Sequence, residues 1–506
     1  MRRTRQKRGG ARPANPATLP PQGGRFMPLT QEKVAQITDA AFDILARIGI
    51  SGATPEIRAL ALEKGAESRH DGRLTFSRSL VEEMIAVACK RVELPGFKRD
   101  RGIEVGGGKV HIGTGGAAVQ VLDAATNTFR DSTLADLYGL MRIVDTCDSI
   151  HYSLRPVVAR DIEDPLTLDL NTAFTAMKAT SKPIGTSFFE PANVDPVIEM
   201  FDHALGGQGS FAAQPFCFAS ICHVVPPLTL AEEACGVMFE CVRRGMPLQL
   251  CSAAQAGATS PASLAGALAQ GLAESLAGIV LVNMMQPGFP CILAFLPFIS
   301  DLRTGAMTGG SGEAAVANAA AAQLLLNLGL PSTVSAGMTD AKTADAQSGY
   351  EKGYTVALAA QAGADMINLS VGMLGSIMAA SKEALVIDND MCGAILRSVR
   401  GVEMFDSAID LDVIEEVVTG EGHFLGTGQT LDLMNKEYVY PALGDRQSVN
   451  DWLDSGAQTI WDRAVTRVAE IEAMPAPGHL PADIEAAIRA RLPIQLAETN
   501  PAPVKA

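Results

Sequence analysis

The chain has 506 residues, 47% of them hydrophobic, 5% aromatic and 19% charged, with 48 glycines. That balance builds a large core of small, tightly packed side chains and excludes a disordered or fibrous chain. The net charge of −15 excludes a nucleic-acid binder, because phosphate contacts need a basic surface.

The charge is uneven. Residues 1–25 hold seven basic side chains and no acid, so this segment is +7 and the remainder −22. Residues 1–28 are expected to be a basic, disordered arm, with docking on an acidic partner or a neighbouring subunit as the other reading. Arg2-Arg3 is followed by Pro13, Pro16, Pro20 and Pro21 rather than an apolar stretch, so no export signal is read here.

Residues 29–102 predict a helical preface. Thr30 can cap a helix in which Val34, Ile37, Ala41, Ile44, Leu45 and Ile48 recur at helical spacing, and Gly49 stops it. Thr54-Pro55-Glu56 starts a second helix, and Ser79-x-x-Glu82 has the capping-box pattern for a third.

From 103 to 400, short apolar segments begin near residues 109, 150, 182, 214, 247, 290, 331 and 365, each pair separated by a stretch long enough for a helix. Eight strands with alternating helices are the count and size of an α/β (β/α)₈ TIM barrel. An open doubly wound sheet would carry a Gly-rich phosphate turn, and neither G-x-G-x-x-G nor G-x-x-x-x-G-K-[ST] occurs. Residues 401–506 read as a C-terminal helical extension packed on the barrel. The apolar stretch from Leu272 to Ile299 is interrupted by Glu274, Asn283, Gln286, Pro287 and Pro290, and its runs are too short for a membrane span. Nine scattered cysteines suit reduced thiols in a cytoplasmic protein.

In such barrels, reacting groups sit at the C-terminal ends of strands. Those ends offer Arg155, Phe188-Phe189-Glu190, Cys222-His223, Phe298 and Asp340-Ala341-Lys342. Cys217, Cys222, His223, Cys251 and Cys291 are zinc-ligand types, but no C-x-x-C occurs and adjacent strand residues point to opposite faces, so no metal site is expected. The densest polar cluster, residues 339–351, places Asp340, Lys342, Asp345, Gln347, Tyr350 and Glu351 after the seventh strand.

Several stretches together resemble the trimethylamine methyltransferase family: RRTRQKRGGAR at the start, GTGGAAVQVLD at 113–123, DAKTADAQSGYE at 340–351, GHFLG at 422–426 and YVYPALGDRQSVNDWLDSG at 438–456. The resemblance implies a TIM-barrel enzyme that takes a methyl group from a methylated amine and passes it to the Co(I) cobamide of a separate corrinoid protein. On that reading no cofactor is bound in this chain and a homo-oligomer is expected. Archaeal trimethylamine enzymes of the family carry pyrrolysine, whereas every position here is an ordinary residue. This points to the non-pyrrolysine branch, which acts on quaternary amines such as glycine betaine, proline betaine, carnitine and γ-butyrobetaine. One departure is Gln429-Thr430, where the resemblance leads one to expect His-Thr.

A quaternary amine fits the residue inventory. A neutral amine leaves without needing a proton, and no acid/base pair stands out. The cation would lie against Phe188, Phe189, Phe298 or Tyr350, with Glu190 or Asp340 as counter-charge. A betaine carboxylate would seek Arg155, Lys342 or His223, and Gln347 completes the candidate pocket. A metal-dependent lyase or hydrolase, or a non-enzymatic betaine-binding protein, are the competing readings.

Overall fold

The computed structural model describes residues 20–498. Most of the expected basic arm, residues 1–19, lies outside them. Residues 20–28 depart from the expectation because they pack on the barrel: Val110 N donates to Pro21 O at 2.9 Å, Gly23 N to Gly108 O at 2.8 Å and Gly24 N to Gln361 O at 2.8 Å. Backbone groups that find partners in the protein hold this segment in place.

The preface folds as three helices, α1 (Gln31–Asp43), α2 (Pro55–Glu63) and α3 (Arg78–Val87). Thr30 and Thr54 cap the first two by accepting from Lys33 N and Ile57 N. A π-helical turn, Ile44–Ile48, continues α1 and stops at Gly49, whose φ of 69° suits glycine. The third cap is Ser77 rather than Ser79. Phe76 is fully buried, which brings the chain in so that Ser77 is the last extended residue and accepts from Leu80 N, while Glu82 pairs with Arg78 at 2.8 Å.

All eight expected strands form. They are β1 (His111–Ile112), β2 (Ser153–Leu154), β3 (Ile184–Thr186), β4 (Cys217–Ile221), β5 (Leu248–Ser252), β6 (Cys291–Phe295), β7 (Ser332–Ser335) and β8 (Met366–Asn368). Neighbours pair in parallel in chain order, β1 pairs with β8, and a parallel bridge from Gly113 to Tyr152 joins β1 to β2 and closes the ring. At Gly113 the Tyr152 ring occupies the place a Cβ would take, so the closure needs glycine there. The helices that follow the strands are α4 (Leu134–Thr146), α5 (Pro165–Ala179), α6 (Val194–Ala204), α7 (Glu232–Arg244), α8 (Leu264–Met285), α9 (Gly312–Asn327), α10 (Ala346–Gln361) and α11 (Lys382–Arg400).

The interrupted apolar stretch yields one continuous 22-residue helix, α8, rather than runs too short to count. It is long and apolar enough to cross a bilayer, but its most apolar window is 89% buried inside the protein, between the preface helices and strands β5 and β6. Its one carboxylate, Glu274, accepts from Leu228 N at 2.9 Å, Ser252 Oγ at 2.7 Å and Gln270 Nε2 at 3.0 Å. The charge that breaks the apolar pattern therefore ties the helix to the sheet.

The N-terminal end of the barrel is plugged by a hairpin of Val92–Leu94 and Ile103–Val105. Val92, Leu94 and Val105 pack on the inward side chains Tyr152, Leu154, Phe218, Ile292 and Met366. The opposite, C-terminal end is the open one. Beyond α11 come α12 (Leu411–Thr419), α13 (Gly428–Leu433), α14 (Val449–Asp454), α15 (Ile460–Ala473) and α16 (Ala482–Arg489). The last two strap the barrel: Arg142 on α4 caps α15 through Ile471 O and Met474 O, and Lys178 on α5 pairs with Glu485.

Candidate active site

The floor of the barrel mouth is a layer of polar side chains inside the ring. Tyr152 OH donates to Asn368 Oδ1 at 2.6 Å, Asn368 Nδ2 to Gln249 Oε1 at 3.0 Å, and Gln249 Nε2 to Thr333 Oγ1 at 3.0 Å. Ser220 Oγ donates to the same Gln249 oxygen at 3.1 Å and lies 3.4 Å from Cys251 Sγ. All five hydrogen-bonded residues of β4, β5, β7, β8 and β2 are neutral, so the floor is polar, satisfied and uncharged.

Above this floor, strand alternation brings Cys222 beside Cys251. The neighbouring Cys251 thiol lowers the Cys222 pKa to about 7, against burial and with help from the charge of Arg155. Cys251 moves the opposite way, well above its ordinary value, through its neighbour Cys222 and through burial. Arg155 follows β2. Burial lowers its pKa, opposed by the charges of Asp169 and Cys222, and its Nε is buried without a hydrogen-bond partner. Asp169, on α5, is 0% exposed. Its Oδ2 accepts from Phe189 N at 2.9 Å and Asn193 Nδ2 at 2.8 Å, whereas Oδ1 is buried and unpartnered. Burial raises its carboxyl to about 6, against those hydrogen bonds and Arg155. Asp169 thus fixes the loop that carries Phe189 and Glu190.

A second region of the open end is a cleft of about 1240 Å³ lined by the loops after β6, β7 and β8, including Asp301, Thr308, Asp340, Lys342, Tyr350 and Ser376. Here the carboxylates are occupied. Asp340 accepts from Thr308 Oγ1, from Gly309 N at 2.9 Å and from Ser376 Oγ at 2.6 Å. Burial opposes its charge, but Ser376, Thr308 and Gly309 together hold its carboxyl below the ordinary range. Glu351 accepts from Thr339 Oγ1 at 2.5 Å, Asp340 N at 2.8 Å and Gln347 Nε2 at 2.8 Å. The Glu351 carboxylate fills the place a Cβ would take at Gly310, so this network also requires glycine on the facing loop.

The sequence-expected residues therefore divide into groups. Arg155 follows β2, and Phe189 and Glu190 lie on the loop after β3 that Asp169 holds. Phe298 packs on Cys251, Ala294 and Leu296 at the inner wall, and Phe189 is 52% exposed, whereas Phe188 packs on the outer core. Asp340, Lys342, Gln347 and Tyr350 belong to the cleft network and its lining, with Lys342 Nζ donating to its neighbour's carbonyl, Asp340 O, at 2.6 Å. His223 is a correction. Strand alternation turns it outward, fully buried, with Nε2 3.0 Å from Glu274 O beside Gly278 on α8. Burial lowers its pKa to about 4, so it is a neutral packing residue and its neighbour Cys222 faces the mouth. Cys217 and Cys291 also face the outer core, and no group of three metal-ligating side chains exists among the described residues. Gln429 lies on α13, where its amide donates to Ser407 O at 2.9 Å.

Reading strand ends alone misses Tyr152, Ser220, Gln249, Thr333 and Asn368, as well as Asp169, and names Cys251 only as a possible metal ligand. The signal for the first five is a polar residue at alternate positions along an apolar segment. Asp169 carries none, because it lies within a helix.

The comparisons agree with this architecture. The trimethylamine methyltransferase (MTTB) family profile matches residues 1–496. Trimethylamine methyltransferase MttB of Methanosarcina thermophila is 31% identical over 453 residues, covering 87% of this chain and 92% of that protein. Glycine betaine methyltransferase of Desulfitobacterium hafniense (strain Y51) is 29% identical over 475 residues, covering 92% and 97%. The solved structure of the Methanosarcina barkeri monomethylamine methyltransferase MtmB shares the fold, with a TM-score of 0.50 at 11% identity over 90% of this chain and 96% of that one. The family match across residues 1–496 and a relative 31% identical over most of both chains show that this chain is a methyltransferase belonging to the trimethylamine methyltransferase family.

Proposed function

We propose that the chain moves a methyl group from a quaternary methylammonium compound bearing a carboxylate, glycine betaine foremost, to the Co(I) cobamide of a separate corrinoid protein. The observation that carries this reading is Arg155. It brings a guanidinium with an unpartnered Nε to a mouth whose floor is otherwise neutral. A substrate carboxylate supplies its missing partner, and a hydrogen bond to a charged group contributes about 1.5–3 kcal/mol. The trimethylammonium end then meets Phe189 or Phe298, each worth about 0.5–2 kcal/mol. Trimethylamine has no carboxylate and leaves Arg155 unpaired.

The reaction asks little acid/base work of the chain. The C–N⁺ bond breaks with its electron pair staying on nitrogen, so a neutral amine leaves, and the acceptor's Co(I) supplies the pair for the new bond to carbon. Opposite charges disappear along this path, which a water-poor mouth favours. The chain's share is positioning, worth up to about 7–11 kcal/mol when two reactants are held in line.

The test is a panel of glycine betaine, other betaines, tetramethylammonium and trimethylamine with a reduced corrinoid protein, read by the absorbance of methyl-Co(III). Glycine betaine should give the change and trimethylamine should not. If no quaternary amine gives it, the reading fails, and tight betaine binding without transfer assigns a binding protein instead.

A further inference from the structure

Nine cysteines are free and all lie within the described residues; seven are buried, Cys89 is half-buried, and Cys222 alone is exposed. Its position is set by the sheet. Strands β4 and β5 are parallel and in register at Ser220 with Gln249 and Ile221 with Leu250, so the next step places Cys222 opposite Cys251 on the axial side. Adjacent strands lie about 4.8 Å apart, inside the Cα separation of about 4.4–6.8 Å that a disulfide spans. Ser220 Oγ, on the same inward face as Cys222, lies 3.4 Å from Cys251 Sγ, so the Cys251 thiol is turned toward the β4 strand.

We propose that Cys222 is a reactive-thiol site at the barrel mouth that takes small-molecule disulfides, with Cys251 as the resolving thiol that closes a Cys222–Cys251 bond above the polar floor. The charged group facing the pair is Arg155, from the end of β2, and a thiolate is the attacking species in exchange. The Cys222 thiolate attacks one sulfur of the incoming disulfide, forming a mixed disulfide and expelling one small thiolate. Cys251 then loses its proton and attacks the Cys222 sulfur, and the second small thiol leaves. Two protein thiols are oxidised and the small disulfide is reduced, so electrons and protons balance.

The buried cysteines are poor competitors. Burial raises the thiols of Cys147, Cys217, Cys235, Cys241, Cys291 and Cys392, whereas Cys222 alone is shifted toward neutrality. The consequence for activity rests on the proposed function: methyl transfer to Co(I) runs only under strongly reducing conditions, and a dithiol at the mouth responds to the same condition. The thiol chemistry itself does not depend on that reading.

The experiment uses the whole folded chain with iodoacetamide and, separately, oxidised glutathione, followed by peptide mass spectrometry. Cys222 should alkylate first, several-fold faster at pH 7 than an ordinary exposed thiol, with a rate midpoint near 7 instead of about 8.5. Arg155→Met should raise that midpoint. Oxidised glutathione should yield a Cys222–Cys251 cross-link in the native chain, a stable mixed disulfide at Cys222 in C251S, and neither in C222S. Fastest alkylation at another cysteine, or a mixed disulfide in the native chain that never resolves, overturns the proposal. Neither outcome touches the quaternary-amine panel, so the two failures are distinguishable.

Discussion

The two sides of the open end use carboxylates in opposite ways. On the β7 side, Asp340 and Glu351 each accept several hydrogen bonds and clamp three loops together. On the β2 side, Asp169 and Arg155 each keep a buried polar atom without a partner, although unpaired buried groups cost about 1–3 kcal/mol. A satisfied network is complete within the protein, whereas Arg155 and Asp169 each leave a hydrogen bond that the protein itself does not make. The cleft of about 1240 Å³ lies toward the satisfied side, so the cavity and the unpartnered groups point to different places.

The sharpest way to break this contrast is Arg155→Met. Losing the partner of a bound carboxylate should cost about 2–4 kcal/mol, a drop of about 30-fold to 1000-fold in kcat/KM for glycine betaine. Tetramethylammonium, which has no carboxylate, should lose little. Equal losses for both would remove Arg155 as the carboxylate anchor.

Glu351→Ala addresses the other side and should act on stability. It strips the acceptor from Thr339 Oγ1, Asp340 N and Gln347 Nε2, an expected loss of about 3 kcal/mol seen as a lowered Tm. Glu351→Gln keeps one acceptor oxygen and should recover part of it. An unchanged Tm with lost betaine binding would turn the clamp into a binding group.

The difference between the two sides was only partly legible in the residues. All eight strands were, because apolar runs punctuated by Gly and Pro recur with the barrel's period. The direction of each side chain was not. Whether Cys222 or His223 faces the mouth turns on a one-residue phase, and the phase is set by pairing with β5, which no local pattern reports. The choice of Ser77 over Ser79 as a cap likewise depends on where Phe76 docks. Asp340 and Glu351 were found because they crowd one loop. Asp169 was not, since its role depends on a distant loop folding back onto α5.

A pH profile sharpens the β2 side at a smaller scale. Asp169 is fully buried with its carboxyl raised to about 6 from an ordinary 3.8. Between those values the folded state binds more protons than the unfolded one, so stability falls as pH rises through this window and the cost is complete above it. Asp365, raised to about 6 by burial, contributes the same sign. Asp169→Asn should flatten the Asp169 share, about 3 kcal/mol at most, and raise stability at pH 7 relative to pH 4. A profile as steep as the native one would mean that the orphaned oxygen carries no such cost.

The smallest expected effect is the most discriminating between the sides. Lys342 is an exposed cation on the cleft rim, its ammonium turned to the neighbouring Asp340 carbonyl. Both it and Arg155 could meet a carboxylate by charge alone, but solvent already satisfies a surface ammonium, and exposed ion pairs contribute about 0–1 kcal/mol. Lys342→Ala should therefore leave the unfolding free energy within about 0.5 kcal/mol of native and change KM for glycine betaine at least tenfold less than the Arg155 variant does. The reverse ranking, with Lys342 decisive and Arg155 dispensable, would move the carboxylate to the cleft and make the satisfied side the reactive one.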